Sequence, residues 1–385
     1  MDEEIQFPID LRKSPAEYFH TVLITVKEIT NISFTPEQEA RLLIEAGKTC
    51  DLSGEWDQAL ENYQNALNVC ESDEIKAEAL KQTGHIKSKM GEWEVALESY
   101  EASLKILNRL GNLHEVGNIQ NCIGYNYFAT GNITRANEYY NKALDIGNQC
   151  GDTQLLSDVH SNLGILSNVK GQYDEAIAYY QQSIARYKVI GDTRGLSQVY
   201  HNLAMTYIEK KSWELAGEYF QKSMEICIDL GDTDLLSIIY TNRAKLALQL
   251  HDLYMSKVYC DKAHAIFDRT GNKMGIAEIY KLYGTIYSNM QKWLFAESAF
   301  QKGIGICDEY KNDLTKAEIY YELGLLRNKQ SQKELAQINL QKAVEIYEKL
   351  EIYSEMNKII AEIQEMCPTY ETNESLIDRI IKGNQ

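Results

Sequence analysis

A repeat of 40 residues is the feature of this sequence that most constrains its fold. A small residue recurs at that interval at Ala136, Ala176, Ala216, Ser256, Ala296 and Ala336, and Ala59 and Ala96 precede them. A second register lies twelve positions earlier and consists of Gly47, Gly84, Gly124, Gly164, Ala204, Ala244, Gly284 and Gly324. A fixed period of this length indicates an array of stacked structural units rather than one globular core.

The spacing inside one unit is helical. In the fourth unit, Gly164 and Ser167 are three residues apart and Ala176 and Tyr180 are four apart, so each pair lies on one face of a helix. Gly171 separates the two pairs. Each unit is therefore predicted to be a helix A, a tight turn and a helix B, with small residues where the two antiparallel helices approach closely.

The connections between helices follow a second pattern. The turns between helices A and B are predicted at Gly54, Gly91, Gly131, Gly171, Lys211, His251, Gln291 and Ser331. Helix B is predicted to end at a glycine followed by Asn or Asp, as at Gly111, Gly151, Gly191, Gly231 and Gly271. Glycine suits the left-handed residue that ends a helix and Asn or Asp caps the next, so one dipeptide serves both purposes.

The order of these residues resembles the tetratricopeptide repeat, in which L-G-x-x-Y is followed by A-x-x-x-F. Two units carry it most fully, with Tyr200, Leu203, Ala204, Tyr207, Ala216 and Phe220 in one and Tyr280, Tyr283, Gly284, Tyr287, Ala296 and Phe300 in the other. The resemblance extends from about Glu37 to Leu350. It implies an all-α fold, a right-handed α-solenoid of about eight helix-turn-helix repeats.

The 40-residue length is similar to that of a long variant of the repeat. This variant occurs in Leu-Gly-Asn repeat adaptors, kinesin light chains and bacterial peptide-pheromone receptors, and the resemblance implies that the chain binds a protein or peptide partner. Three segments are predicted: a capping helix within residues 1–36, the array over 37–350, and a second capping helix with a tail over 351–385. The caps are predicted over Pro15–Thr30 and Tyr353–Met366, and a short helix over Asn373–Ile381.

Composition narrows the class of partner. The formal net charge is −17, which argues against a nucleic acid or an anionic membrane and favours a neutral or basic partner. The N-terminus is acidic where a secretory signal is basic, and no apolar run reaches the roughly 18 residues of a membrane span. We therefore expect a cytoplasmic protein that does not interact with membranes.

Motifs for catalysis are missing from the sequence. The eight cysteines include no C-x-x-C pair, and there is no G-x-S-x-G, no P-loop and no H-E-x-x-H. Seven histidines are spread along the chain without metal-ligand spacing. We expect no enzymatic activity, no metal and no cofactor.

One repeated polar position is the candidate site. Two residues before the small residue of helix A, consecutive repeats carry Asn162, Asn202 and Asn242. An amide offers both a donor and an acceptor, so it can bind the backbone of an extended peptide whatever its sequence. The same helical stripe, which related arrays place on their concave surface, adds Asp158, Gln198, Met205 and Lys245 as candidate partner-binding residues.

Two interpretations of the asparagines remain open, and so do two of the function. The asparagines either bind a ligand or hold neighbouring A helices together. The favoured function is an adaptor or scaffold that binds a peptide segment of a partner in the groove. The alternative is a regulatory receptor for a short signalling peptide, with a change of curvature on binding.

Overall fold

The computed structural model describes residues 34–366, and these residues form seventeen α-helices and no β-strand. The predicted segments Pro15–Thr30 and Asn373–Ile381 lie outside the described residues. The chain divides into two compact units, residues 1–199 and 200–385, which are described separately below. We call them unit 1 and unit 2.

The helices alternate between A and B along the chain. In unit 1 they are α1 (Pro36–Leu52), α2 (Trp56–Val69), α3 (Asp73–Lys89), α4 (Trp93–Leu110), α5 (Leu113–Ala129), α6 (Ile133–Cys150), α7 (Thr153–Val169) and α8 (Tyr173–Ile190). The boundary between the units falls within α9 (Thr193–Glu209). Unit 2 continues with α10 (Trp213–Leu230), α11 (Thr233–Gln249), α12 (Leu253–Thr270), α13 (Lys273–Asn289), α14 (Trp293–Tyr310), α15 (Asp313–Lys329), α16 (Lys333–Lys349) and α17 (Tyr353–Met366).

Helices A and B of one repeat pack through the predicted small residues. A side chain added at Gly164 would place its Cβ 2.5 Å from the ring of Tyr180, which is itself buried. At Gly284 the added Cβ would lie 2.2 Å from the ring of Phe300. In these repeats the B helix packs an aromatic ring on the backbone of its A helix, and a glycine leaves the space for it. The all-α fold class predicted from the repeat is confirmed.

The caps also form as predicted. Gly151 ends α6 in the left-handed conformation, with φ of 66°, and the side chain of Asp152 accepts a hydrogen bond from the backbone N–H of Leu155. Gly111 and Asn112 do the same between α4 and α5. One dipeptide therefore satisfies backbone groups of two helices, since it ends the first and caps the second.

The last described helix continues the packing of unit 2. Helix α17 has the bounds predicted from the sequence, and its residues Met356, Ile359 and Ile363 are buried in one cluster with Val344 and Tyr347 of α16. The division into residues 1–36, 37–350 and 351–385 stays a prediction. Among the described helices, none is both long and apolar enough to cross a membrane.

Candidate functional site

The A helices form a layer of their own within each unit. In unit 1, α1 contacts α3, α3 contacts α5 and α5 contacts α7, while in unit 2 α11 contacts α13 and α13 contacts α15. The predicted stripe has four positions on each A helix, counted from the small residue at which that helix approaches helix B. Two of them lie six and two residues before the small residue, and the other two lie one and five residues after it. We call the surface made by these positions the A-face.

A cleft of about 490 Å³ opens on the A-face of unit 1. Its lining comes from helices α3, α4, α5, α7 and α9 and consists of His85, Ser88, Lys89, Tyr100, Asn121, Cys122, Tyr125, Asn162 and Gln198. Six of these nine residues occupy A-face positions. The cleft crosses the helices obliquely, because α3 contributes the late positions of the stripe and α9 contributes the earliest one. We call it the amide cleft.

Two of the predicted site residues line the amide cleft. The Asn162 side-chain nitrogen donates to Oδ1 of Asn121, 2.9 Å away on the preceding A helix. This bond uses one N–H of Asn162 and leaves its carbonyl oxygen and the amide nitrogen of Asn121 without a protein partner among the described residues. Gln198 is exposed at the edge of the cleft.

Asp158 lies on the same helix but does not line the cleft. Its carboxylate accepts hydrogen bonds from the Tyr187 hydroxyl and from the side-chain nitrogen of Gln154. Burial raises the pKa of Asp158 and outweighs these two hydrogen bonds, which lower it. The side chain is committed to contacts within unit 1.

The other four predicted residues belong to unit 2. The side-chain nitrogen of Asn242 lies 3.0 Å from Nε2 of His201, and Nδ1 of His201 lies 3.4 Å from Oδ1 of Asn202. A neutral ring with its proton on Nδ1 fits both contacts. Burial lowers the pKa of His201, which also favours the neutral ring. Met205 is half-buried, and the Lys245 ammonium lies 2.8 Å from a carboxylate oxygen of Glu278.

Ion pairs connect the A helices of unit 2. Lys281 of α13 lies 2.6 Å from Glu278 on its own helix and also contacts Glu318 of α15. Burial raises the pKa of Glu278, but Lys281 and Lys245 outweigh burial and the net shift is downward. Next to this network, the Thr285 hydroxyl donates to Glu322, whose pKa is raised by burial.

Unit 1 carries a similar network in its first three repeats. The ammonium of Lys81 lies 2.6 Å from Glu78 and 2.9 Å from Glu115 on the next A helix, and Lys48 lies 3.3 Å from Glu78. These residues line a second cleft, of about 460 Å³. The unit 1 surface thus has a part over α1 to α5 with several charged side chains and a part over α3 to α9, the amide cleft, whose lining has one charged side chain, Lys89, paired with Asp51.

Sequence reasoning missed several residues of the amide cleft. Asn121, Tyr125 and His85 line it, but the sequence prediction followed the stripe only from the fourth repeat onwards, in the three repeats that carry the asparagines. The available signal was the stripe itself, because its four positions applied to repeats two and three give His85, Lys89, Cys122 and Tyr125. Within residues 34–366, no three His, Cys, Asp or Glu side chains are grouped as a metal site.

Comparison with known families decides what kind of array this is. Four overlapping segments between residues 38 and 229 match a family model described as tetratricopeptide repeat, and residues 317–350 match a second model of the same description. Together they cover more than half of the chain. The chain belongs to the tetratricopeptide repeat family. No curated protein sequence matches it.

Solved structures resemble this tetratricopeptide repeat chain at low sequence identity. The apo form of the quorum sensor NprR from B. thuringiensis matches with a TM-score of 0.63 at 15% identity, covering 85% of this chain and 92% of that one. The apo form of RapI matches with a TM-score of 0.60 at 13% identity, covering 87% and 92%. At such identities the likeness establishes the fold alone.

A third structure is a larger protein. It is a signal transduction ATPase with a tetratricopeptide repeat sensor, PH0952 from Pyrococcus horikoshii, and it matches with a TM-score of 0.65 at 17% identity. The match covers 89% of this chain but 54% of that one, so this chain spans about half the length of PH0952. The shared part is the repeat fold.

Proposed function

We propose that this tetratricopeptide repeat protein is a non-enzymatic adaptor that binds an extended peptide segment of a partner protein on its A-face. Repeats of this family are generally binding scaffolds. The observation that carries the proposal is the amide cleft, where Asn121, Asn162 and Gln198 present amide groups at the surface of a concave site. Its volume lies within the roughly 300–1,000 Å³ typical of ligand sites.

The chemistry of the cleft suits a peptide backbone. An extended backbone presents N–H and C=O groups at regular intervals, and each needs a partner when the peptide leaves water. The carbonyl oxygen of Asn162 and the amide nitrogen of Asn121 supply an acceptor and a donor side by side, while the bond between the two residues fixes their orientation. In unit 2, described by itself, we propose Asn202 and Asn242 as partner contacts of the same kind, with Met205 and Lys245 on the same stripe.

The proposal includes a class of partner and a location. The net charge of −17 favours a neutral or basic segment over nucleic acid or an anionic membrane. Cysteines within residues 34–366 are present as thiols rather than disulfides, which is typical of a reducing compartment such as the cytoplasm. We propose no catalytic role, since the family repeat itself is a binding element.

A regulatory receptor for a short signalling peptide is the second candidate. It is favoured by the descriptions of two structural neighbours, a quorum sensor and a tetratricopeptide repeat sensor. Both functions use the same face, and they differ in what is bound and in the response. An adaptor retains folded proteins in a pull-down from native extract, whereas a receptor retains peptides and changes its small-angle scattering profile when they bind.

Replacing Asn162, Asn202 and Asn242 together by alanine tests the proposed contacts. Each neutral hydrogen bond to a ligand contributes about 0.5–1.5 kcal/mol, so each position should account for roughly three- to tenfold in affinity. The probe is the partner identified by pull-down and mass spectrometry, titrated against both proteins. Asn148→Ala, at an exposed position of helix α6 away from the A-face, is the control and should leave affinity unchanged.

The opposite result would assign the asparagines to the architecture. The amides of Asn162 and Asn242 each contact the preceding A helix, at Asn121 and His201. If those contacts are their whole purpose, the triple variant melts many degrees lower while affinity per folded molecule is retained. Melting temperature and affinity, measured on the same samples, separate the two cases.

A further inference from the structure

The charges around the amide cleft compensate one another. Lys89 is the one cation of its lining, and its ammonium lies 2.7 Å from both carboxylate oxygens of Asp51. His85 is neutral at pH 7, because burial and the neighbouring Lys89 both lower its pKa. The charge of Asp158 lies close enough to raise the pKa of the Cys122 thiol, but its carboxylate accepts hydrogen bonds from Tyr187 and Gln154. No charge is left over to meet a charge on a ligand.

An exposed aromatic ring is the other marked feature of the cleft. Tyr125 of α5 is 50% exposed at an A-face position, whereas Tyr127 of the same helix is 8% exposed. Asn121 lies one helical turn before it, and both residues line the cleft. A tyrosine ring held at a polar opening offers an apolar surface for stacking and a hydroxyl for hydrogen bonding.

From these two features we infer that the segment bound in the amide cleft is uncharged where it crosses helices α3 to α9 and carries an aromatic side chain that packs on Tyr125. This inference rests on the proposed function, and it adds the chemical class of the ligand. A charged side chain entering the cleft loses water and gains no counter-charge, which is unfavourable. An aromatic side chain gives up little hydration and gains a ring partner.

The charged part of the unit 1 surface supports the assignment by contrast. Over helices α1 to α5, Lys48, Glu78, Lys81 and Glu115 alternate in sign along one network. A ligand that continued in that direction would meet both signs of charge. The absence of an unpaired charge, with a single cation in the lining, is therefore a property of the amide cleft and does not extend to the whole A-face of the described unit.

Selection from a random twelve-residue peptide library displayed on phage tests the inference with the full chain as bait. We expect enriched peptides to share an aromatic residue flanked by uncharged residues. Enrichment of peptides with Lys, Arg, Asp or Glu in the shared core overturns the inference and leaves the proposed function standing. Failure to enrich any peptide overturns the proposed function, and this inference with it.

Two variants locate the recovered peptide on the protein. Tyr125→Leu keeps an apolar side chain but removes the ring, and it should weaken binding roughly threefold to tenfold. Gln198→Lys adds a charge at the exposed edge of the cleft and should shift a repeated selection towards peptides with Asp or Glu. Gln181→Lys, exposed on helix α8, is the matched control and should select the original peptides.

A charge-exchange experiment makes the test quantitative. Replacing one Gln or Asn of the peptide core by Glu or Asp, an isosteric change, should weaken binding to the unaltered protein about tenfold. Part of this loss should be recovered on Gln198→Lys and none of it on Gln181→Lys. If the acidic peptide binds as well as the neutral one, or if neither Tyr125→Leu nor Gln198→Lys alters binding, the inference is wrong. Circular dichroism of each variant confirms that it is folded.

Discussion

The two units of this protein carry similar ion-pair networks in different surroundings. Glu78 and Lys81 lie six and three residues before Gly84, and Glu278 and Lys281 lie at the same distances before Gly284. Each lysine joins the glutamate of its own helix to a carboxylate of the next A helix. The Glu–Lys pair therefore recurs at the same repeat positions, but the carboxylate on the next A helix does not: Glu115 lies nine residues before Gly124, and Glu318 lies six before Gly324.

The surroundings of the two lysines differ. In unit 1 the Gln82 side chain donates to Glu78 at 2.8 Å, so an amide supports the network. In unit 2 another carboxylate, Glu322, lies beside Lys281. In unit 1 the equivalent repeat position, two residues before the small residue of helix A, is occupied by Cys122. Lys281 is also the less exposed of the two, at 13% against 20% for Lys81. We therefore expect the stability of unit 2 to depend more strongly on Lys281 than the stability of unit 1 depends on Lys81.

The turns between helices A and B give a second contrast. In unit 1 a glycine occupies the left-handed position, for example Gly171 with φ of 73°, whereas unit 2 has Lys211 with φ of 56° and His251 with φ of 59°. The backbone conformation is the same, but a residue with a Cβ adopts it at a cost of about 1 kcal/mol. Unit 2 thus contains strain at turns where unit 1 has none.

The largest expected effect comes from the lysines. Lys281→Met should lower the free energy of unfolding by about 3 kcal/mol, because Glu278 and Glu318 would remain close together without their shared cation. Lys81→Met should lower it by roughly half as much, since Lys81 is the more exposed lysine and Gln82 still donates to Glu78, whereas the second lysines, Lys48 and Lys245, support both glutamates alike. Urea denaturation followed by circular dichroism measures both.

The network also predicts how this loss depends on pH. The pKa of Glu278 is lowered in the folded state, so its favourable contribution is present above the unfolded value near 4.5 and is lost as the pH falls through the folded value. The difference between Lys281→Met and the unaltered protein should therefore shrink in acid. Adding Glu318→Gln to Lys281→Met should recover part of the stability at pH 7, and equal losses for the two lysine variants would contradict the comparison.

Replacing Glu322 should stabilise the protein, in contrast to replacing either lysine. Burial raises its pKa, so the ionised carboxylate destabilises the folded state at pH 7, and Glu322→Gln should raise the free energy of unfolding by roughly 1 kcal/mol. The gain should be complete above the raised pKa and disappear below the unfolded value near 4.5, where the carboxyl group is protonated in both states. Thermal melting from pH 4 to pH 8 measures it.

A surface glutamate provides the control for that series. Glu345→Gln, at an exposed position of helix α16, should show no such dependence on pH. If Glu322→Gln destabilises the protein at pH 7, the favourable contacts of the carboxylate outweigh the cost of its burial, and the assignment of a net unfavourable buried charge is wrong.

The smallest expected effect comes from exchanging the turn residues. Lys211→Gly should stabilise the protein by about 0.5–1 kcal/mol, because it relieves the left-handed conformation but adds freedom to the unfolded chain. Gly171→Lys should destabilise it by about 1 kcal/mol. A Cβ at Gly171 would meet no atom within 4 Å, so the backbone conformation alone sets this difference. Equal melting temperatures for both variants and the unaltered protein would show that the turns are unstrained.

The sequence by itself determined the helices, their ends and their pairing. It located turns that contain no glycine, such as those at Lys211 and His251, because the repeat register marks a turn whatever residue occupies it. It also placed the bounds of α17 correctly. These features are local. The helical spacing, the capping residues and the small residues where helices A and B pack closely all lie within one repeat of about 40 residues.

Only the tertiary structure decided which side chains meet across neighbouring A helices. The amide of Asn162 contacts Asn121, 41 residues earlier, and Lys281 reaches Glu318, 37 residues later. Such contacts depend on the offset and rotation between successive helices of the A layer, which follow from the packing of whole side chains. The repeat register indicates which face a residue occupies, but the packing decides which residue of the next repeat lies opposite it. For this reason the stripe could be predicted from the sequence, whereas the oblique course of the amide cleft through Tyr125 and His85 could not.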